Sequence, residues 1–497
     1  MSGLDLFADA LRRPDLRVLD GVGEHGGAQL EARVQAYADA LEAQGLQRVA
    51  SRLDNGLDWL ALDLAIRRLD GVHVPLPTFF SAGQVSHALA SSGAQALVTA
   101  RGEPMPIGAN AEVQRALGDT LSAWRLQTHA PALPEGTACI TYTSGTTGSA
   151  KGVCLDAASM LAVAGSLVEA ARPVSPRRHL CLMPLSTLLE NVSGLYAALL
   201  SEADIAVPSL AEIGYTGASG LDVPTLLACL QRYQPHSAIL LPQLLLALVT
   251  AAERGHALPR SLRFLAVGGG RVGPRLLARA AALGLPVYEG YGLTECASVV
   301  CLNRPGASRP GSVGRALPHA RVQVVDGELQ VHGVRCLGYL GEAGPPPGAI
   351  ATGDLGHVDE DGYVHVTGRR KNVFITAYGR NVSPEWVESE LLQHPDFAQA
   401  VVWGEARPWN VAVVWPRRAG QQANDLQAAL HDVNASLPDY AQVRELVLAD
   451  APFTAAEGLL TANGRPRRDA ILHRYADAIA QRYARANDPS PTFGCTP

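Results

Sequence analysis

Short apolar runs alternate with Ala/Leu-rich runs of helical length over most of this 497-residue chain. The run QALVTA at 95–100 follows the helix-like QVSHALASS, and LRFLAV at 262–267 precedes the helix-like GPRLLARAAAL. Apolar runs separated by helical segments are typical of strands that are joined by crossover helices. The alternation therefore predicts an α/β fold whose large N-terminal domain contains parallel sheets with crossover helices.

The character of the sequence changes twice towards the C-terminus. Short alternating segments broken by glycine, RVQVVDGELQVHGV and GHVDEDGYVHVTG, predict a small antiparallel or β-barrel-like subdomain at about 311–367. Strand-like and helical runs then mix, which predicts a small α+β domain at the C-terminus. Within it, Ser383 and Pro384 are suited to begin a helix. We expect an N-terminal domain at 1–368 and a C-terminal domain at 372–497.

Composition excludes several classes of protein. Hydrophobic residues make up 47% of the chain and charged residues 18%, which is a globular balance, and the net charge of −6 argues against a nucleic-acid-binding protein. The most apolar stretch, at 238–252, is shorter than a transmembrane span and contains Pro242, so we interpret it as a strand, a turn and a core helix. No transmembrane span is predicted.

Cysteine usage and the N-terminus favour a cytoplasmic protein. The eight cysteines form no CxxC pair and are spread through a long chain, which indicates free thiols in a reducing compartment. The N-terminus mixes acids and arginines before an apolar run of signal length could form. Lys151 and Lys371 are the only lysines, and arginine supplies every other basic residue.

A run of small and hydroxylated residues at 142–153, YTSGTTGSAKGV, predicts a phosphate-binding loop. Its backbone N–H groups and hydroxyls can surround a polyphosphate, and Lys151 adds a positive charge. The pattern differs from a Walker A loop, because Ala-Lys-Gly stands where that motif has Gly-Lys-Ser/Thr. A flexible linker is the alternative interpretation. The candidate phosphate-binding residues are Thr143, Ser144, Gly145, Thr146, Thr147, Gly148 and Lys151.

Five further segments follow in a definite order. They are GGG at 268–270, YEGYGLTE at 288–295, ATGDLG at 351–356, GRRKNVFITAYGRNVSPEWVE at 368–388 and LLTANGRPRR at 459–468. With the phosphate loop, this series resembles the adenylate-forming superfamily over nearly the whole chain, and most of all its fatty-acyl-CoA synthetases. The resemblance implies ATP-dependent activation of a carboxylic acid as acyl-AMP, followed by thioester formation. It also implies the cofactors ATP, Mg²⁺ and CoA, or the phosphopantetheine of a carrier protein.

The nucleotide site can be assigned partly from the residues themselves. Tyr291 offers a flat face for a base, Thr294 a hydroxyl for phosphate, and Glu295 a hard oxygen ligand for Mg²⁺. The resemblance implies the same three roles and adds Asp354 at the ribose hydroxyls and Arg369 at ribose or phosphate. The other residues that it places at ATP or AMP are Gly268, Gly269, Gly270, Glu289, Gly290 and Gly292.

The resemblance also assigns residues of the C-terminal domain. It implies a hinge at 369–371 centred on Lys371, about which a mobile domain rotates between the two half-reactions, and it places Gly379 beside the path of the thiol. Relatives usually carry a catalytic lysine after Thr-x-x-Gly, where this chain has Arg465. Arginine keeps the charge but presents it as a planar fork. A working arginine, a slowed adenylation step and a loss of the reaction are the three alternatives.

The acid-binding segment is MPLSTLLENVSG at 183–194, where the resemblance implies an acyl pocket with Ser186, Thr187 and Gly270. An amino acid substrate is disfavoured, since Leu185 occupies the position at which relatives pair an aspartate with the amine. The apolar runs here suit a fatty acid or are simply core. The acceptor is CoA or a carrier protein. A carrier protein would act in trans, because the chain contains no Asp-Ser attachment site. A non-catalytic nucleotide- or acyl-binding protein is the remaining alternative.

Overall fold

The computed structural model describes residues 11–105, 111–129, 131–143, 151–216, 220–342, 348–418, 420–461 and 464–486. The chain forms two compact units. The first comprises Met1–Thr352 with Gly356–Val366, and the second comprises Gly353–Leu355 with Thr367–Pro497. The domain limits and the hinge at 369–371 stay a prediction.

The strands are short, and most lie in the first unit. In chain order they are β1 Arg17–Leu19, β2 Glu24–Gly26, β3 Arg48–Ser51, β4 Val72–Pro75, β5 Ala96–Ala100, β6 Ala111–Leu117, β7 Leu121–Leu126, β8 Thr137–Thr143, β9 Lys151–Asp156, β10 Arg178–Leu180, β11 Asp204–Ala206, β12 Tyr215–Thr216, β13 Gly220–Leu221, β14 Ser237–Leu240, β15 Phe264–Val267, β16 Val287–Leu293, β17 Ser298–Leu302, β18 Arg315–Ala316, β19 Ala320–Val325, β20 Glu328–Gly333, β21 Gly338–Tyr339, β22 Ile350–Val358, β23 Val364–Arg369, β24 Phe374–Ile375, β25 Asn381–Val382, β26 Phe397–Trp403, β27 Asn410–Pro416 and β28 Val443–Leu448.

The helices connect these strands. In chain order the α-helices are α1 Gly27–Ala43, α2 Leu57–Arg68, α3 Ala82–Ser92, α4 Ala157–Ala171, α5 Leu188–Glu190, α6 Ala197–Leu200, α7 Leu210–Ile213, α8 Val223–Tyr233, α9 Pro242–Glu253, α10 Pro274–Ala282, α11 Pro384–Gln393, α12 Gln427–Asn434, α13 Arg468–Arg474 and α14 Ala476–Ala486. A π-helix covers Asn191–Tyr196, and 3₁₀ turns cover Arg172–Val174, Thr294–Cys296, Ala423–Leu426 and Asp439–Ala441. Among the described helices, none is long and apolar enough to cross a membrane.

Two large mixed sheets organise the described part of the first unit. One has the strand order β18-β17-β16-β15-β14-β10-β11-β1-β2 and the other β21-β9-β8-β4-β3-β5-β7-β6. Their central strands pair in parallel, as β14 does with β15 and β15 with β16, and helices α9 and α10 connect these three strands. The central strands are apolar because helices cover both faces of such sheets. The predicted α/β fold with crossover helices is confirmed, and the outer strands add antiparallel pairs.

A four-stranded sheet in the order β19-β20-β22-β23 forms the predicted small β subdomain. Strands β19 and β20 are an antiparallel hairpin with Val322 opposite Val331. Leu329, Val331 and Val364 are buried on one face, while Val324 and Val325 of the outer strand remain exposed. Along β20, buried residues alternate with more exposed ones, in agreement with the sequence pattern, because successive side chains point to opposite faces of a strand.

The second unit is built on a three-stranded sheet in the order β26-β27-β28. Helix α11 packs its buried residues Val387 and Leu391 into the same core as this sheet. Pro384 begins the helix, as predicted, and Ser383 precedes it. The Ser383 hydroxyl donates to Glu385 Oε2 at 3.2 Å and makes no bond to the helix backbone, so only its position agrees with the expected cap.

Candidate active site

The predicted phosphate loop joins two antiparallel strands. Thr143 ends β8 and pairs with Lys151, which begins β9, so both residues stand at the mouth of the loop. A hairpin of this kind is distinct from the strand–loop–helix of a Walker A motif. The predicted loop residues Ser144, Gly145, Thr146, Thr147 and Gly148 lie outside the described residues.

Lys151 and Glu295 are brought together through Tyr339. The ammonium of Lys151 lies 3.0 Å from Glu342 Oε1 and 4.8 Å from the centre of the Tyr339 ring. The Tyr339 hydroxyl donates to Glu295 Oε1 at 2.8 Å. Burial and the neighbouring carboxylate raise the pKa of Tyr339, so it stays a donor. A carboxylate such as that of Glu295, near the residue that begins β9, suits Mg²⁺, which takes one or two protein carboxylates and completes its shell with phosphate and water.

Strand β16 requires a glycine at position 292, close to its end. A Cβ on Gly292 would stand 1.9 Å from the carbonyl oxygen of Ser298, where the pairing of β16 with β17 shifts register. Thr294 begins the 3₁₀ turn. The two residues that follow the turn, Ala297 and Ser298, have φ of 57° and 125°. Such backbone strain in residues other than glycine persists where tertiary structure enforces it, commonly at functional sites.

The glycine run that follows β15 lies against an apolar wall. Gly268 continues the pairing by donating to the Leu240 carbonyl at 3.1 Å, and Gly269 has φ of 75°. A Cβ on Gly269 would meet the side chain of Leu241 at 2.9 Å and that of Leu189 at 3.5 Å. The missing side chain at Gly269 therefore lets Leu241 approach the backbone closely.

Glu289 of β16 carries a carboxyl with an unusual pKa. Burial raises this pKa to about 7, and the Arg271 guanidinium and the N–H of Val272 oppose the rise. Arg271 also donates to the Val366 carbonyl at 3.3 Å. The carboxyl therefore faces the residues that follow the glycine run, and it changes its charge near neutral pH.

Tyr288 and Tyr291 have different neighbours, although both lie on β16. The Tyr288 ring stacks on Phe264, with ring centres 4.9 Å apart and 20° between the planes. Tyr291 is half-buried and packs against the core of the β subdomain. Gly290 of the same strand packs closely against Leu302, since a Cβ there would stand 3.0 Å from that side chain. The role of Tyr291 at a base stays a prediction.

The predicted acid-binding segment is buried and firmly held. Ser186 is 6% exposed, and Thr187 donates through its hydroxyl to the Pro184 carbonyl at 2.8 Å. Asn55 and Glu190 each bond the backbone of this segment. Ser186 and Gly270 are both in the first unit, and a Cβ on Gly270 would lie 3.4 Å from the ring of Pro242.

Within the second unit, Asp354 and Arg369 form an ion pair. Arg369 Nε lies 2.8 Å from Oδ1 of Asp354, whose side chain is buried. Arg465 belongs to the same electrostatic group: partial desolvation and the charge of Arg369 lower the pKa of its guanidinium, whereas Asp354 raises it. The backbone N–H of Arg465 donates to the Thr461 hydroxyl at 3.1 Å, which closes the turn that carries it. Arg465 remains cationic at neutral pH.

Lys371 and Gly379 lie in the second unit, between β23 and β25. Partial desolvation and the charge of Arg369 lower the pKa of Lys371, and the carboxylates of Asp469 and Glu385 raise it. Gly379, with φ of 71°, occupies the short turn between β24 and β25, where no other atom lies within 4 Å of a Cβ built on it. A left-handed residue at such a turn favours glycine.

Sequence analysis missed Tyr339, Glu342 and Asn55. The first two lie near PPPG in a loop-like region without a motif, and Asn55 stands alone between β3 and α2. The predicted free thiols agree with the structure, in which all seven described cysteines are free and buried.

Known proteins resemble this chain in sequence and in fold. The family model described as AMP-binding enzyme matches residues 6–346, and the AMP-binding enzyme C-terminal domain matches residues 371–487. The chain is 28% identical to the long-chain-fatty-acid–CoA ligase FadD15 of Mycobacterium bovis, with 94% of each chain covered. It is 30% identical to 2-succinylbenzoate–CoA ligase of Bacillus subtilis, with 55% of this chain and 57% of that one covered. The solved anthranilate CoA ligase AuaEII, in complex with anthranoyl-AMP, has a TM-score of 0.79 at 19% identity and covers 97% of this chain and 98% of its own.

Proposed function

Because the chain belongs to the family of AMP-binding enzymes, we propose that it is an AMP-forming acid–thiol ligase for an apolar carboxylic acid such as a fatty acid. The acid is activated by ATP as acyl-AMP, and the acyl group is then transferred to CoA. The relatives named above are ligases of a long-chain fatty acid, of 2-succinylbenzoate and of anthranilate, which supports the reaction class and leaves the acid to be argued from this chain.

The aliphatic wall beside the glycine run is the observation that carries the choice of acid. Leu189 and Leu241 approach Gly269, and Pro242 approaches Gly270, so the backbone of the glycine run is bordered by hydrocarbon. Each methylene that an acyl chain buries there contributes about 0.8 kcal/mol. A second charged group on the acid would be desolvated against these side chains at a cost.

The first half-reaction needs positioning and charge neutralisation, and the protein supplies no nucleophile. The carboxylate of the acid attacks the α-phosphorus of ATP, the bond to pyrophosphate breaks, and acyl-AMP forms. Lys151 and the loop that it follows bind the leaving pyrophosphate, while Thr294 contacts the α-phosphate. Glu295, held by Tyr339, is the proposed carboxylate ligand of Mg²⁺. Bound Mg²⁺ would neutralise charge on the phosphate oxygens.

Arg465 is the proposed cation of this step, in the position where relatives usually carry lysine. It keeps its positive charge beside Arg369 and Asp354, which supports the interpretation as a working arginine. Asp354 is proposed to accept hydrogen bonds from the ribose hydroxyls and Arg369 to hold it for that purpose. In the second half-reaction the CoA thiolate attacks the acyl carbonyl and AMP leaves, with Lys371 as the hinge and Gly379 beside the thiol.

A substrate panel tests the proposal. The protein is incubated with ATP, Mg²⁺ and carboxylic acids that include fatty acids of graded length, 2-succinylbenzoate and anthranilate, with CoA or a phosphopantetheinylated carrier protein as acceptor. We expect AMP and acyl-CoA with the fatty acids, identified by mass. Preference for 2-succinylbenzoate would contradict the proposed acid, and acyl transfer to the carrier alone would contradict the acceptor. Nucleotide binding without AMP release would contradict the enzyme.

The arginine is tested by ATP–pyrophosphate exchange, which reports the first half-reaction alone. We expect Arg465→Ala to lower exchange by about 10²-fold or more, a loss typical of removing one group that stabilises transition-state charge. Arg465→Lys should keep most of the activity, since it retains the charge. Exchange that is absent in the natural chain and present in Arg465→Lys would contradict a working arginine.

A further inference from the structure

Two buried side chains that lie outside segment 183–187 in the sequence form hydrogen bonds to its backbone. Asn55 donates from Nδ2 to the Met183 carbonyl at 2.9 Å and accepts at Oδ1 from the N–H of Leu185 at 2.8 Å. Glu190 accepts at Oε2 from the N–H of Met183 at 2.9 Å. Asn55 belongs to the connection between β3 and α2, so it reaches this segment from a distant part of the chain.

The hydrogen bonds at the start of this segment form a complete set. Pro184 has no N–H, and its carbonyl accepts from the N–H of Thr187 at 3.0 Å and from the Thr187 hydroxyl at 2.8 Å. Every polar backbone group from the N–H of Met183 to the N–H of Leu185 therefore has a partner inside the protein. Irregular backbone can be buried only when its polar groups are paired in this way. Asn55 and Glu190 thus determine where the segment lies.

Glu190 is itself fixed by a buried polar cluster. Its side chain is fully buried, and Oε1 lies 3.0 Å from Nε2 of His179, whose Nδ1 lies 3.1 Å from the Ser237 hydroxyl. Burial and the Glu190 carboxylate raise the pKa of the Cys181 thiol well above its ordinary value. The ligand atoms of His179, Cys181 and Glu190 lie within 4.8 Å of one another. Because both carboxylate oxygens already accept hydrogen bonds, the cluster is accounted for without a metal ion.

We propose that Asn55 and Glu190 are positioning residues of the acid site, which hold in place the backbone that carries Ser186. This inference rests on the proposed function and on the acyl pocket that the family resemblance predicts, to which Ser186 belongs. Ser186 is 6% exposed, and among the described residues its hydroxyl makes no hydrogen bond. A hydroxyl without a protein partner, on a residue that is otherwise buried, is suited to an oxygen of the substrate. Neither Asn55 nor Glu190 touches the reacting atoms, and both act through segment 183–187.

Four variants separate this role from a general loss of stability. Asn55→Ala removes both bonds of the amide, and Glu190→Leu removes both acceptors at similar volume. Glu190→Gln is the rescue: its carbonyl can accept from Met183, and its amide can donate to Nε2 of the other His179 tautomer. Asn434→Ala is the matched control in the second unit, because Asn434 bonds the carbonyl and N–H of one residue, Val443, at 2.7 and 3.0 Å.

The experiment compares the effect of each variant on binding of the acid with its effect on binding of the nucleotide. We expect Asn55→Ala and Glu190→Leu to raise KM for the acid in ATP–pyrophosphate exchange, and Kd for an acyl sulfamoyl adenosine, at least tenfold. KM for ATP and Kd for AMP should stay within about twofold, because the nucleotide is held elsewhere. Glu190→Gln and Asn434→Ala should resemble the natural chain in all four quantities.

Several results would overturn the inference. Equal losses for acid and nucleotide, a Glu190→Gln variant as poor as Glu190→Leu, or an Asn434→Ala variant as poor as Asn55→Ala would each do so. If the natural chain bound one equivalent of zinc and Glu190→Gln bound none, Glu190 would be a metal ligand and the hydrogen-bond explanation would be wrong. If Glu190→Leu does not fold, Asn55→Ala decides, together with faster exchange of the Leu185 amide hydrogen. A natural chain that binds AMP but shows no preference for the acyl analogue fails at the proposed function instead.

Discussion

Replacing Glu289 by glutamine should remove a cost to stability that the carboxyl imposes at high pH. Burial raises the pKa of Glu289 from 4.5 to about 7 in the folded protein, against the opposing effect of Arg271. Since the folded pKa is the higher one, the unfolded chain ionises first as the pH rises. Glu289 therefore makes its full contribution to stability below pH 4.5. This contribution decreases as the pH rises and is lost once the pH has passed 7.

The magnitude follows from the two pKa values. At about 1.4 kcal/mol for each pH unit, the interval from 4.5 to about 7 corresponds to a total loss of about 3.4 kcal/mol. About 1.4 kcal/mol of this is lost by pH 5.5, so that about 2 kcal/mol remains to be lost between pH 5.5 and pH 8.5. Protonated Glu289 and glutamine are both neutral, and the variant should lack this loss.

Urea unfolding of the natural chain and of Glu289→Gln at pH 5.5 and pH 8.5 measures the effect. Relative to the natural chain, the free energy of unfolding of the variant should be about 2 kcal/mol higher at pH 8.5 than at pH 5.5. Glu253→Gln is the control, because the Arg279 hydrogen bond lowers the pKa of Glu253 and keeps it ionised throughout this range. The reasoning fails if the Glu289→Gln difference is the same at both pH values, or if Glu253→Gln shows the same change.

Three further substitutions are expected to change stability in stated directions. Gly292→Ala should lower the free energy of unfolding by about 3 kcal/mol, since its Cβ would stand 1.9 Å from the Ser298 carbonyl oxygen, and an unchanged melting temperature would contradict that contact. Gly165→Ala should raise it by about 0.5–1 kcal/mol in urea, because Gly165 is inside α4 with no atom within 4 Å of the new methyl. Tyr339→Phe should cost about 1.5 kcal/mol by loss of its hydrogen bond to Glu295, and a cost near zero would show that water replaces it.

Residues of the proposed nucleotide site show how far local sequence reaches. Gly268, Gly292 and Asp354 could be found because each stands in a motif of fixed local spacing, and the strands and turns that carry them follow from the same local pattern. The partner of Asp354 was also within reach, since Arg369 lies only a short distance further along the chain. The 3₁₀ turn at Thr294–Cys296 and its strained neighbours could not be predicted from the sequence, because they depend on the pairing of β16 with β17.

The sequence by itself determined the alternation of strands and helices, the change to a β subdomain and an α+β unit, and the order of the motifs, since these depend on hydrophobic period and turn residues over a few positions. Tertiary structure alone decided which side chains meet. Asn55 bonds Met183 across 128 positions, Lys151 meets Glu342 across 191, and Tyr339 reaches Glu295 across 44. Such partners are set by strand register and by the packing of whole elements, and no local pattern encodes either one.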